Sequence, residues 1–354
     1  MARCTGPNEL PPPLPIALTT HMPRLRHHLA TAAFVAGTCA LFLGAWGCSE
    51  PNTDGEQPTV NERPIVVCTT SMIGDILREV AGDAATVHVL FGATVDPHLF
   101  RATRDDVASL MAADLVLYNG FGLEGYLGPT LERVAKSGTD LVAIAESILV
   151  EGEPMQDAGV SDPHVWMDPH LWARTAPLIA NALVKELSPG DPAIAAIQQR
   201  AAATHSRLLD LDARAAAALK TIPETTRTLV TAHDAFRYFG RRYGLRVEGI
   251  QGLSTASEGG LQAIETLVSL LVDSKIPAVF FESTVSERNV KALIEGAGAR
   301  GHIVALGGTL HSDAPGSAGT YEAMMKHNIQ TIASALGGRT DSMSDAALPG
   351  EALK

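Results

Sequence analysis

From Pro64 onward, short apolar runs alternate with longer amphipathic stretches. IVVCTT (65–70) is a β-branched run suited to a buried strand, and MIGDILREVAG (72–82) has apolar residues at helical spacing before a glycine stop. ATVHVLF (85–91), DLVLYNG (114–120) and DLVAIAES (140–147) read as further strands, with helices over 103–113 and 127–138 between them. A βα series of this kind predicts a parallel sheet with helices on both faces.

The pattern changes at Asp168-Pro169, where an N-cap residue precedes a proline suited to the first helical turn. One helix is expected from there to about Leu187, ended by Ser188-Pro189-Gly190-Asp191-Pro192. A second, alanine-rich helix over about 192–220 meets no strong breaker before Pro223. At 1.5 Å per residue it would span about 40 Å, a rigid rod between two lobes. The βα series then resumes, with strands over 226–233, 245–250, 278–283 and 301–308. Helices are expected over 235–244, 259–274, 286–298 and from Tyr321 to about Leu336. The fold class is therefore α/β, two (βα)-type lobes with mainly parallel sheets joined by one long helix. The lobes are drawn at 64–168 and 223–336, with the helical segment at 169–222 and a disordered tail at 337–354.

The chain before Pro64 has a different pattern. MPRLRHH (22–28) and the apolar LATAAFVAGTCALFLGAWG (29–47) form the basic and hydrophobic regions of a signal peptide. Met22 is read as the true start, with 1–21 an extension ahead of it. The apolar run ends in AWGC, similar to a bacterial lipobox, with Ala45 where leucine is usual. Cys48 would then be lipidated and become the mature N-terminus. The alternative is an uncleaved membrane anchor, since about 20 apolar residues can span a bilayer. Either arrangement places the remainder outside the cytoplasmic membrane, at the periplasm or cell surface. Residues 49–63 are polar and proline-containing, a flexible tether.

Composition changes the picture in two respects. Removing 1–47 takes away Arg3, Arg24, Arg26 and Glu9, leaving 24 basic and 38 acidic residues and a formal charge of −14. Such a surface repels nucleic acid and is compatible with attracting cations. Of the four cysteines only Cys68 lies in the body of the chain, so no disulfide is possible after cleavage except with Cys48. On a buried strand Cys68 is an inert core thiol.

The tripeptide Asp-Pro-His occurs three times, ending at His98, His164 and His170. His98, His164, His233 and Asp313 share one address, in or at the edge of a loop after a strand, two on each side of the long helix. In open α/β sheets ligands bind outside the carboxyl ends of the strands. Three imidazoles and one carboxylate suit a first-row divalent metal. The spacing matches no local metal motif. His170 belongs to the first helical turn after Asp168-Pro169 and is expected to face solvent or pack.

Four segments together resemble the zinc- and manganese-binding solute-binding proteins of bacterial ABC importers, the cluster A-I family. They are VDPHLFRAT, DPHVWMDP, TAHDAFRYFGRRYGL and ALGGTLHSDAPGSAGTYEAMMKHN; GLSTASEGG and VFFESTVS also fit, and the likeness covers about 64–336. It implies one metal in the cleft between the lobes, held by His98, His164, His233 and Asp313. It also implies a membrane permease as partner and a binding role rather than an enzymatic one. Many zinc-specific members carry a His-rich loop between the first two ligands, whereas EGEPMQDAGVSD (151–162) contains no histidine. His233 keeps zinc or Fe²⁺ possible, so the cargo is expected to be Mn²⁺ or Zn²⁺. Glu258 and Glu282 are expected to orient ligands or cap loops, and His311 to be a rim residue or accessory ligand. Trp166 and Trp172 are expected to pack near the lobe junction. The protein is read as a monomer.

Two other functions compete: a zinc hydrolase, and an adhesin or envelope lipoprotein with a structural metal. Four protein ligands would close the open position a hydrolase needs, and no Glu adjoins a ligand as in a His-Glu-x-x-His helix. Three unperturbed imidazoles predict that acid displaces the metal between about pH 7 and 5, with more than one proton taken up per ion released.

Overall fold

The computed structural model describes residues 63–344 apart from 151, 158 and 257–259. The leader, Cys48, nearly all of the tether, Glu258 and 345–354 lie outside the described residues.

The first lobe is built on β1 (Ile65–Cys68), β2 (Thr86–Val89), β3 (Leu115–Tyr118) and β4 (Asp140–Ala143). They form one parallel sheet in the order β2-β1-β3-β4. β4 is shorter than expected, because Ile144–Ile148 is helical. A small antiparallel hairpin, β5 (Gln156–Asp157) and β6 (Val160–Ser161), comes next. The second lobe holds two parallel pairs. β7 (Thr228–His233) pairs with β8 (Arg246–Gln251), and β9 (Ala278–Glu282) with β10 (Ala305–Leu310).

The helix expected to start at Asp168 does so, with Oδ1 of Asp168 accepting from the backbone N–H groups of His170 and Leu171. It does not continue to Leu187. It breaks after Trp172 and restarts as Thr175–Lys185. Pro177 supplies the reason: it has no N–H for the carbonyl of Ala173, and its ring is tolerated only in a first turn.

The next helix, Ala193–Leu219, has 27 residues and spans about 40 Å. Its buried side includes Ile197, Ala201, Thr204, Leu208, Leu211, Ala215 and Leu219, at three- and four-residue spacing. Helix Ser71–Ala81 of the first lobe and helix Tyr321–Ala335 of the second both pack on it. Arg207, on this rod, pairs with Glu79 from the first and with Glu322 from the second. Asp212, also on the rod and buried, takes Arg242 and the Tyr243 hydroxyl.

The segment after Leu336 departs from the expected disorder as far as Ser344. Met343 is fully buried in the main core, and Arg214 donates to the carbonyls of Ser342 and Ser344. A single apolar side chain in a polar stretch gives no periodic signal, yet it docks the segment on the rod.

Candidate metal centre

The Asp-Pro-His motif forms the same local turn each time. Oδ1 of the aspartate accepts the backbone N–H of the histidine two residues on: Asp96 to His98 at 2.9 Å, Asp162 to His164 at 2.9 Å and Asp168 to His170 at 3.0 Å. The three turns lead into different structures. His98 lies in the loop after β2, and His164 precedes a 3₁₀ turn over Val165–Met167. His170 sits in the helix begun by Asp168, half-exposed, with Nδ1 3.8 Å from Asp212.

His233 ends β7, and Asp313 lies beyond the end of β10. His98, His164, His233 and Asp313 each offer one ligand atom, and these atoms lie within 4.8 Å of one another. All four side chains are buried; His98, at 7% exposure, is the most open. The Nε2 atoms of His98 and His164 are 3.2 Å apart. Each Nε2 also faces the Asp313 carboxylate: His98 at 3.9 Å and His164 at 3.6 Å from Oδ1, His233 at 3.4 Å from Oδ2. Bonds of 2.0–2.1 Å to a central ion would set tetrahedral donors about 3.4 Å apart, so these spacings match. Nε2 of His233 and Oδ1 of Asp313 are buried with no hydrogen-bond partner in the protein. Buried polar atoms normally have partners, and an ion between these donors would supply one.

Outer contacts orient the donors. Glu282, expected to orient a ligand, places Oε2 2.6 Å from Nδ1 of His233. Asp162, which sequence reasoning missed, places Oδ1 2.8 Å from Nδ1 of His164. The motif signals the turn that sets this aspartate beside the histidine's backbone, and of the three motifs the one at His164 also brings the oxygen to the ring. The Thr284 hydroxyl donates to Oδ2 of Asp313 at 3.2 Å. Trp166 and Trp172 are both buried, and Trp166 Nε1 donates to the Ser312 carbonyl at 2.7 Å, tying the His164 segment to the Asp313 loop.

His311 stands outside the four-residue group. Its Nδ1 meets the Ser283 hydroxyl at 3.1 Å, its ring contacts His327, and its backbone N–H and carbonyl are both held by Asn328. It shapes the loop carrying Asp313. Cys68 is a buried free thiol, pushed up to about 12 by burial, as expected of an inert core residue.

Charge is distributed unevenly among the donors. Burial pushes the His98 imidazole down to about 3, although Asp313 opposes this. Burial also disfavours charge on His233, but Glu282 and then Asp313 outweigh it and hold that imidazole well above its ordinary value. Burial acts to raise Asp313, and the three imidazoles, His233 foremost, hold it well below the usual carboxylate range. The His233 ring lies between two carboxylates, Glu282 at Nδ1 and Asp313 at Nε2.

Residues 66–335 match the family described as zinc-uptake complex component A, periplasmic. The chain belongs to this family. It is 39% identical to the zinc-binding protein TroA of Treponema pallidum over 316 residues, covering 88% of this chain and 99% of that one. With the manganese-binding lipoprotein MntA of Bacillus subtilis it shares 40% identity over 306 residues, covering 84% and 97%. The solved structure of TroA superposes with a TM-score of 0.74 at 41% identity, covering 77% of this chain and 99% of that one. Fe(III)-bound YtgA of Chlamydia trachomatis superposes with a TM-score of 0.72 at 26% identity, covering 78% and 99%. Members of the zinc-uptake component A family are extracytoplasmic substrate-binding components of metal ABC importers, with a permease as partner. They are binding proteins, so the hydrolase reading is not supported. No helix among the described residues is long and apolar enough to cross a membrane.

Proposed function

We propose that this protein captures one Mn²⁺ or Zn²⁺ ion between its lobes, using His98, His164, His233 and Asp313, and delivers it to the permease of its importer. Fe²⁺ also suits this donor set. The observation that carries the reading is the cluster of four buried donors at ligand spacing, with Nε2 of His233 and Oδ1 of Asp313 lacking a hydrogen-bond partner. Three imidazoles favour zinc, and an aspartate with both oxygens turned to the imidazoles suits the higher coordination of manganese. The protein works as a monomer, anchored to the membrane through lipid on Cys48.

The test is the metal content of the protein purified without added metal, beside that of His233→Ala. Near-stoichiometric Mn or Zn in the wild type and its loss in the variant are expected. Equal metal in both would overturn the ligand set. A deletion strain should grow poorly only when that metal is scarce.

A further inference from the structure

Four donors are anchored in different ways. His164 and His233 each have a carboxylate at the outer ring nitrogen, and Asp313 has the Thr284 hydroxyl. Among the described residues no carboxylate meets the outer ring nitrogen of His98. Its loop is held through other groups, and two of these reach across the cleft. The Ala93 carbonyl accepts the Gly316 backbone N–H at 2.8 Å. Oδ2 of Asp96 accepts the Thr255 hydroxyl at 2.6 Å, while Oδ1 of the same carboxylate accepts the His98 backbone N–H at 2.9 Å. One first-lobe carboxylate thus joins a donor histidine to the loop after β8 in the second lobe, 159 residues away. Beside it, a cavity of about 300 Å³ is lined by His98, Tyr126, Pro163 and Leu253, so His98 alone of the four donors borders it.

We propose that Asp96 and Thr255 are positioning residues that set the rate of metal release: their hydrogen bond across the cleft holds His98 over the ion without either side chain entering the coordination sphere. The proposal rests on His98 being a ligand. Release requires the most open donor to withdraw toward the cavity, and its backbone turn cannot move while Asp96 is tied to both lobes. A hydroxyl bonded to a carboxylate is among the stronger neutral-to-charged contacts, so its loss should be visible in a rate.

The full chain loaded with Mn²⁺ or Zn²⁺ is mixed with excess chelator, and release is timed for wild type, Thr255→Val and Thr255→Ser. Valine keeps the shape and removes the donor; serine keeps the donor. We expect release about tenfold faster with valine and near wild type with serine. The Co²⁺-loaded absorption spectrum and the melting temperature of the metal-free protein should be unchanged in both. Wild-type release from the valine variant overturns the proposal. So does a serine variant as fast as valine, or faster release accompanied by a lower metal-free melting temperature, which marks a general loss of packing. His98→Ala is run in parallel. If it keeps one ion with the wild-type Co²⁺ spectrum, the ligand reading itself has failed; if it loses the ion while the valine variant is unaffected, only the proposal has.

Discussion

Oε2 of Glu282 lies 2.6 Å from Nδ1 of His233, and Oε1 of the same carboxylate accepts the His233 backbone N–H at 2.7 Å. The carboxylate fixes both the ring and the chain that carries it, leaving Nε2 turned toward Asp313. Such outer carboxylates raise ligand basicity and hold the ring in place. Glu282→Gln keeps the backbone acceptor and removes the charge. Metal affinity should fall about 10–100-fold, measured by chelator competition. An unchanged affinity would show that the charge does not contribute.

The two neighbouring Asp-Pro-His motifs should separate sharply. His164→Ala removes a proposed inner ligand and should cost more than the roughly 10–100-fold expected from losing an outer carboxylate. His170→Ala, at a half-exposed helical position beside Asp212, should leave affinity within about twofold of wild type. Equal losses in calorimetric titrations would contradict the assignment.

The pH dependence differs from that of three ordinary imidazoles. His98 is already neutral down to about pH 3, so acid does not compete there in the usual range. His233 is held protonated above its ordinary value near 6.5, and metal binding must displace that proton. Affinity should therefore rise with pH through neutrality, with proton release on metal binding, detected by calorimetry in buffers of different ionisation heat. The raised His233 value has the opposite sign for folding of the metal-free protein. That stabilisation is fully present below about pH 6.5 and is lost as pH rises through the raised value. Metal binding without proton release at neutral pH would contradict a raised His233 value.

Cys48→Ser should release the protein from membranes or block processing of its leader. Membrane fractionation with N-terminal sequencing checks this; a variant still bound with an unchanged N-terminus would favour the uncleaved anchor.

Met343→Ala should destabilise the fold by about 2–4 kcal/mol, read by urea denaturation, because a fully buried side chain leaves a cavity. A change below about 0.5 kcal/mol, the range of surface substitutions, would mean the segment after Leu336 does not contribute to the core.

By itself the sequence determined most of the elements and their order. Apolar runs marked the strands, an alanine-rich stretch without a breaker marked the rod, Asp168-Pro169 marked a helix start, and the motifs carried the family likeness. These are local properties, set by side-chain spacing and by turns within a few residues. Hence all three Asp-Pro-His motifs fold alike. Which histidines meet was decided only by tertiary structure. His98 and His164 are 66 residues apart within the first lobe and their ring nitrogens 3.2 Å apart, while Asp313 reaches both from the second lobe. The uneven protonation of His98 and His233 was equally beyond local reading, since it depends on burial and on Glu282 and Asp313 arriving from distant strands. So was the docking of Met343, whereas the helix break after Trp172 was legible locally in Pro177, inside the span read as continuous. Long-range contacts carry no periodic signature along the chain; only packing brings them together.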